Sequence, residues 1–397
     1  MASQELDFTL VEFEDAWPAV SDEWFQLFGE CEDPCTAYHP VFLFAAETLR
    51  GRTRPSHLVL GRQAGRLVLG LPARIEERWP GVRELRFYAP PYLNHLAPLD
   101  ATPGRRATAA LLRHAHRHIG VATWRVTEAA PGLLAAVGEP AEGRPRLSVH
   151  LLESHCPVLH VPEDATDVTA ALTNARLRSE IRRHWRRAEA QGITARVVTT
   201  DSTEYSLRQA LDHLTHLHVL RRDSLGKSST WSPSVQAFHA RACEAAQQYP
   251  GCLSFAELLH EGRVIASSYG VRSPVRFCGV QAGWDPVYAN CAPMTLLIQQ
   301  TIAWLATERT PYLCFGSGSA THSYKDRWTE TNTHDVALFA VCSPAGRAVT
   351  RLARLRHLVR QNGPAQGALL WLTGPDGDPE AVADARHAPA GSTPPNR

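Results

Sequence analysis

Apolar positions recur along the chain at two periods, and their alternation lays out most of its order. HLVLGRQAGRLVLGLPARI (57–75) reads as two apolar strands joined through a Gly-containing turn, and ELRFYAPPYLNHLAPL continues as an extended segment. RRATAALLRHAHRHIG (105–120) changes to helical spacing, with Ala109, Leu112, Ala115 and Ile119 on one face and Gly120 as its C-cap. ATWRVTE then returns to a short strand. The second half repeats this order. ITARVVTTD (193–201) alternates like a half-buried strand, and a helix over 203–222 puts Leu207, Leu211, Leu214 and Leu217 on one face. CLSFAELLHEGRVIASSYGVRS (252–273) and VRFCGVQAGWD (275–285) make a three-strand meander whose first turn is His260-Glu261-Gly262-Arg263. A helix, APMTLLIQQTIAWLATE (292–308), follows. YLCFGSGS is then a buried strand entering a Gly turn, and HDVALFAV (334–341) is a further strand. Strands, helix and strand thus appear twice, which predicts a mixed α/β (α+β) chain made by duplicating one unit. The join falls near HCPVLHVPEDATD (155–167), so the expected domains are 1–155 and 156–372. The remainder, 373–397, is rich in Pro, Gly and Asp with little to bury, and is expected to be a disordered tail.

Composition narrows the classes open to such a chain. With 397 residues, 44% hydrophobic and 20% charged, there is ample material for two globular domains. The 41 basic and 40 acidic residues leave a net charge of +1, so an anion-binding surface must be local. The acidic start, MASQELDFTLVEFEDAW, lacks the basic and apolar regions of a secretory signal. No apolar run reaches the roughly 18 residues of a membrane span. The nine scattered cysteines fit buried, reduced thiols, and the expected location is cytoplasmic.

One helix is locally basic. NARLRSEIRRHWRRAEAQG (174–192) carries a narrow apolar stripe, Leu177, Ile181, Trp185 and Ala188, and ends at Gly192. Arg176, Arg178, Arg182, Arg183, Arg186 and Arg187 lie off that stripe, opposed mainly by Glu180 and Glu189. Six guanidiniums on one helix fit a polyanion such as phosphates, a nucleotide or RNA. A solvated charged face that pairs with acids from elsewhere fits the same pattern. The histidine runs HAHRH (114–118) and HLTHLH (213–218) lack any HExxH or CxxC companion, so no metal is expected. GxSxG, Walker A and GxGxxG are absent too, which leaves serine-hydrolase, P-loop and Rossmann chemistry without support.

CFGSGSATHSYKDRW (314–328), a strand entering a Gly-Ser turn and then a phenol, an ammonium and a guanidinium, carries a resemblance when taken with its surroundings. With the Arg-rich helix, HLHVLRRDS (216–224), ELLHEGRVIASSYGVR and GVQAGWDPVYANCAPMTLL (279–297), it resembles the acyltransferase domain of the GNAT superfamily. The resemblance is to the CelD/BcsL type, itself similar to the Fem-type aminoacyltransferases, and it spans roughly 15–345 with matching segments in the first half. It implies two tandem GNAT-like domains, each a mostly antiparallel sheet flanked by helices. It also implies acyl transfer to an amine, hydroxylamine or hydroxyl. Two positions depart from the family. Pro293-Met294 stands where relatives have Pro-Gly, which disfavours a tight pyrophosphate cradle at that helix start. Cys314 stands where relatives often have Asp.

Acyl transfer needs a nucleophile that loses its proton, a stabilised oxyanion and a donor held by its phosphates. The matching Lys of Fem-type enzymes implies that Lys325 sits by the developing oxyanion, and Tyr324 or Tyr269 offers a proton to the leaving group. Arg178, Arg182, Arg183, Arg186, Arg327, Pro293, Met294 and Thr295 are the expected donor-binding residues. Gln281, Trp284, His218, Arg221, Arg222, Ser317 and Ser319 are expected around a small-molecule acceptor. The expected donor is aminoacyl-tRNA, a co-substrate with no bound cofactor, in a natural-product or envelope pathway. Acyl-CoA as donor, or a non-catalytic protein that binds RNA or a nucleotide, are the alternatives.

Overall fold

Two meanders, each followed by a helix and then by a strand parallel to the meander's last strand, organise the chain. The structure, a computed structural model, describes residues 6–79, 82–93, 96–118, 121–129, 133, 146–163, 172, 174–316, 324–329 and 331–341. All of these lie in the compact unit Met1–Gly346. The expected tail lies outside them.

The first half contains β1 (Leu6–Glu12), α1 (Phe13–Glu30), α2 (Pro40–Ala46), β2 (His57–Gln63), β3 (Arg66–Trp79), β4 (Val82–Phe87) and β5 (Leu99–Asp100). These lead into α3 (Arg106–His118), β6 (Val121–Ala129) and the long β7 (Arg146–His160). The second half runs α4 (Ala175–Ala190), β8 (Thr194–Val198), α5 (Leu207–Asp223), α6 (Pro233–Ala245), β9 (Leu253–His260), β10 (Arg263–Arg272), β11 (Arg276–Trp284), α7 (Pro293–Thr307), β12 (Tyr312–Cys314) and β13 (Asn332–Val341). Most pairings are antiparallel, but β4 runs parallel to β6, and β11 parallel to β12. Parallel neighbours need a crossover, and α3 and α7 supply it. Each half thus repeats one order of elements, as the duplicated pattern implied, and is GNAT-like, as the resemblance implied.

The halves share one sheet, in the order β1-β2-β3-β4-β6-β13-β7-β12-β11-β10-β9-β8. Strand β13, late in the chain, lies between β6 and β7, and β7 passes from β13 at Arg146–Pro157 to β12 at Val158–His160. The core is continuous as well. Phe42 on α2 stacks on Phe238 of α6 at 5.9 Å, Arg276 reaches Asp33 at 2.6 Å, and the Thr36 hydroxyl donates to Cys278 Sγ at 3.2 Å. No helix among the described residues is long and apolar enough to cross a membrane.

Local chemistry sets the element ends. Glu261 and Gly262 take φ of 50° and 77°, the left-handed pair a two-residue hairpin turn requires. Helix α5 begins at Leu207, later than the spacing predicts, because Ser206 and Gln209 form a reciprocal capping box. On α3, Ala107, Thr108 and Leu111 are buried, and Ala109 of the expected face is half-buried. The side chains of Leu112 and Ala115, and all of Ile119 and Gly120, lie outside the described residues. Buried Asp100 fixes this rotation, since its carboxylate accepts from the amide and hydroxyl of Thr102 (2.9 and 2.5 Å) and of Thr108 (both 2.7 Å). Asp100→Ala strands buried donors and is expected to lower unfolding stability by about 3 kcal/mol, read as the urea midpoint. A midpoint within error of the parent sinks this account of α3.

Eight cysteines, all but Cys342, are described, and all are buried. Burial pushes Cys35 up to about 11 and Cys31 and Cys252 up to about 12, so these thiols are poor nucleophiles at neutral pH.

Candidate active site

Strands β11 and β12 stay paired for only three residues, Arg276–Cys278 against Tyr312–Cys314, and then part. Beyond that point β11 runs on to Trp284. The chain after β12 turns away instead, because the Phe315 amide bonds to the Pro157 carbonyl (3.0 Å) and Gly316 takes φ of 72°. The result is a wedge between two parallel strands. Gly279 and Gly316 flank its apex; a Cβ on Gly316 would come within 3.3 Å of the Gly279 carbonyl oxygen. Glycine inside a strand marks close backbone approach, and GVQAGW carries that signal in the sequence.

Lys325 closes one side of the wedge. It lies in the 3-10 turn Tyr324–Arg327, half-buried, and its Nζ donates to the Gly316 carbonyl at 3.1 Å. The turn is held from below. Trp328 is buried in a cluster with Leu177, Ile181 and Phe315, the Asn174 side chain donates to the Arg327 carbonyl (3.4 Å), and the Arg327 guanidinium pairs with Glu180. Arg327, expected to bind phosphate, is thus engaged by a carboxylate of α4. That contact, ahead of the one from Arg176, holds the Glu180 carboxyl below its ordinary value. The Tyr324 side chain, Ser317 and Ser319 lie outside the described residues.

Helix α4 has two characters. Leu177, Ile181 and Ala188 are buried, and Trp185 Nε1 bonds to Gln299 on α7. Arg178 turns inward to the Leu172 carbonyl and Arg187 reaches the Asn290 carbonyl at 2.6 Å, tying α4 to the segment that leads into α7. Arg182, Arg183 and Arg186 are exposed and have no ion pair or hydrogen bond among the described residues. The start of α7 is strained. Ala292, its N-cap, takes φ of 52°, a left-handed conformation unusual for a residue with a Cβ, and such strain gathers at functional sites. Pro293 has no amide hydrogen. The Thr295 and Leu296 amides bond to the Ala292 carbonyl (2.9 and 3.4 Å), and half-buried Met294 packs into the core.

The other expected cluster lies farther along the same strand. Gly283 brings β11 against the α5 backbone, where His218 Nδ1 approaches the Ala282 carbonyl and Nε2 the Thr230 hydroxyl, both at 3.5 Å. Burial is the main reason the His218 imidazole titrates below its ordinary value. The Arg221 guanidinium lies over Trp284 at 4.3 Å, and Arg222 Nε bonds to the Ser228 carbonyl. Gln281 is half-buried and accepts from the Ala282 amide (3.0 Å). Gly279 and Ala282 are three residues apart, roughly 10 Å along a strand. The structure thus brings His218, Arg221, Arg222 and Trp284 together beside the Lys325 wedge. Tyr269 is not exposed there; it is buried on β10 against Phe255, and its hydroxyl has no partner among the described residues.

A groove of about 610 Å³ lined by Glu12, Glu14, Glu47, Arg50, Arg54 and His57 lies wholly within the first half, and its three carboxylates suit an anionic donor poorly. No group of three metal-ligating side chains gathers among the described residues.

Residues 175–326, the span holding the wedge, Lys325 and the basic helix, match the acetyltransferase (GNAT) domain family. With that domain and two GNAT-like halves, the chain is an acyltransferase. Its fold is similar to that of FemX (TM-score 0.55, 9% identity, 83% of this chain and 98% of FemX covered). It is also similar to the C-terminal domain of a putative lysylphosphatidylglycerol synthetase from Agrobacterium fabrum (0.54, 12%, 84% and 95%). A Bacteroides thetaiotaomicron protein of unknown function is similar too (0.52, 10%, 85% and 100%). No curated protein matches the chain in sequence.

Proposed function

We propose that this acyltransferase moves an aminoacyl group from aminoacyl-tRNA to an amine, hydroxylamine or hydroxyl of a small acceptor. The observation that carries the reading is the row Arg182, Arg183 and Arg186, exposed and without a partner among the described residues, on a helix tied to the start of α7. Three free guanidiniums on one face suit a run of phosphates. The likeness in fold to FemX, and the resemblance of the sequence to Fem-type and CelD/BcsL-type enzymes, support it. In this reading the acyl carbonyl lies in the wedge with its oxygen toward Lys325 Nζ. The acceptor enters from the side of His218 and Trp284, and the tRNA oxygen leaves with the proton that the acceptor loses. The transfer is direct, with no acyl-enzyme. Arg327 and Glu180 position the Lys325 turn.

Transfer of labelled amino acid from total charged tRNA, with and without RNase, beside an acetyl-CoA titration, tests the reading. RNase-sensitive transfer is the expected result, and RNase-insensitive transfer from acetyl-CoA overturns it. Acyl-CoA as donor is the second reading, favoured by the acetyltransferase match over 175–326; the Met294 side chain and the occupied amides of Thr295 and Leu296 weigh against it. Changing Arg182, Arg183 and Arg186 together to Gln is expected to lower the slope of log K for tRNA against log salt by about 2–3, the yield of three lost phosphate contacts. An unchanged slope removes these arginines from the donor site.

A further inference from the structure

Four aromatic rings from distant parts of the chain close on one another, and three of them carry buried polar atoms without partners. His239 on α6 has its ring centre 5.1 Å from Trp231, 5.5 Å from Tyr269 on β10 and 6.3 Å from Tyr92 of the first half. Tyr92 and Trp231 lie nearly parallel at 5.9 Å. Both His239 nitrogens, Trp231 Nε1 and the Tyr269 hydroxyl have no hydrogen-bond partner among the described residues, and neither does the hydroxyl of Ser267, two residues before Tyr269 on the same face of β10. His239 and Ser267 are wholly buried. Each orphaned group costs on the order of 1–3 kcal/mol, and buried polar atoms in folded proteins are almost always satisfied. If packing were all that mattered, Phe at these ring positions would serve better.

The chemistry of the orphans states what would satisfy them. The indole N–H only donates, the hydroxyls do either, and a neutral imidazole donates through one nitrogen and accepts through the other. Burial takes His239 down to about 3, so it is neutral at physiological pH. Burial alone moves His239, with no charged side chain of the described residues acting on it, so a charged group would be buried there without compensation. The rings also offer flat apolar faces.

The cluster lies beside the acceptor side of the wedge. Trp231 is 6.0 Å from His218, and Tyr269 is paired in register with Gln281. Thr230 and Ser232 are exposed on either side of Trp231, and Tyr92, held at φ of 62°, donates its hydroxyl to the Thr230 carbonyl at 2.7 Å. We propose that the Tyr92–Trp231–His239–Tyr269 cluster is a recognition site for a flat, uncharged group of the acceptor that both donates and accepts hydrogen bonds, of the carboxamide or hydroxamate class. Only the word acceptor rests on the acyltransfer reading. The site itself rests on the orphaned atoms.

The test needs no donor. The full-length protein, with histidine rings labelled with ¹⁵N, is titrated with acetamide and with acetohydroxamic acid to ~100 mM, the range in which fragments of this size bind. The His239 nitrogen resonances are expected to move and saturate, and Tyr269→Phe is expected to weaken the apparent Kd about tenfold. His239→Phe is expected to melt at or above the parent temperature without probe, and to lose the rise in Tm that the probes give the parent. Unmoved His239 resonances overturn the proposal. So does a crystal structure in which ordered waters satisfy these atoms and stay in place with either probe soaked in. Should His239→Phe not fold, Tyr269→Phe decides alone. Failure of every acyl-transfer assay would sink the proposed function and leave this measurement untouched.

Discussion

Lys325→Ala is expected to lower kcat/KM for acyl transfer by about 10²–10³, the cost of removing one donor aimed at a developing oxyanion. The donor is whichever the RNase test identifies. Lys325 Nζ already lies 3.1 Å from the Gly316 carbonyl, on the wall of the wedge that β11 and β12 open. An ammonium held there by a backbone oxygen needs no reorganisation when charge appears, and its half-buried position keeps water from screening it fully. The same truncation removes the hydrogen bond to the Gly316 carbonyl, whose loss costs about 1 kcal/mol of stability. Lys325→Arg keeps the charge but alters reach and shape, and is expected to restore only part of the rate. A variant that keeps transfer within a few-fold of the parent would remove Lys325 from the chemistry. A variant that merely binds tRNA as the parent does would say nothing against it, since the proposed function gives that binding to the arginines of α4.

The local parts of this site were legible in the sequence. The hairpin at Glu261–Gly262, the basic helix with its cap at Gly192 and the helix from Pro293 are fixed by residues within a few positions of one another, so period and turn chemistry find them. Helix α2, PVFLFAA, shows no period because it is buried nearly all round, and α1 carries Pro18 inside it; neither announced itself. Other features depend on where distant residues meet. Nothing near SYKDRW says that Arg327 spends its charge on Glu180, 147 positions earlier. Strand β13 alternates as a strand should, but no local rule sends it between β6 and β7. His239 passes as one more core histidine until Tyr92, Trp231 and Tyr269 surround it with nothing to bond.

Gly283→Ala is expected to cause a large loss of stability, because the added methyl meets the backbone of a packed helix. A Cβ at Gly283 would lie 2.5 Å from the His218 amide nitrogen, 2.7 Å from the Leu217 carbonyl carbon and 2.8 Å from the His218 Cα. All three are backbone atoms inside α5, so no side chain can swing aside; the whole helix must move off β11. That helix buries Leu207, Leu211, Leu214 and Leu217 against the sheet, and lifting it disturbs every one of these contacts. Overpacking a core typically costs 1–3 kcal/mol, and a clash between two backbones belongs at or above the upper end, about 3 kcal/mol or more. Gly279→Ala on the same strand is the control: its Cβ meets only the Cys314 carbonyl oxygen at 3.7 Å, an ordinary contact, so its urea midpoint should stay near the parent's. If both variants unfold alike, strand propensity and not helix contact governs β11. If Gly283→Ala is as stable as the parent, α5 does not sit against β11 as described, and His218 loses its place beside the wedge.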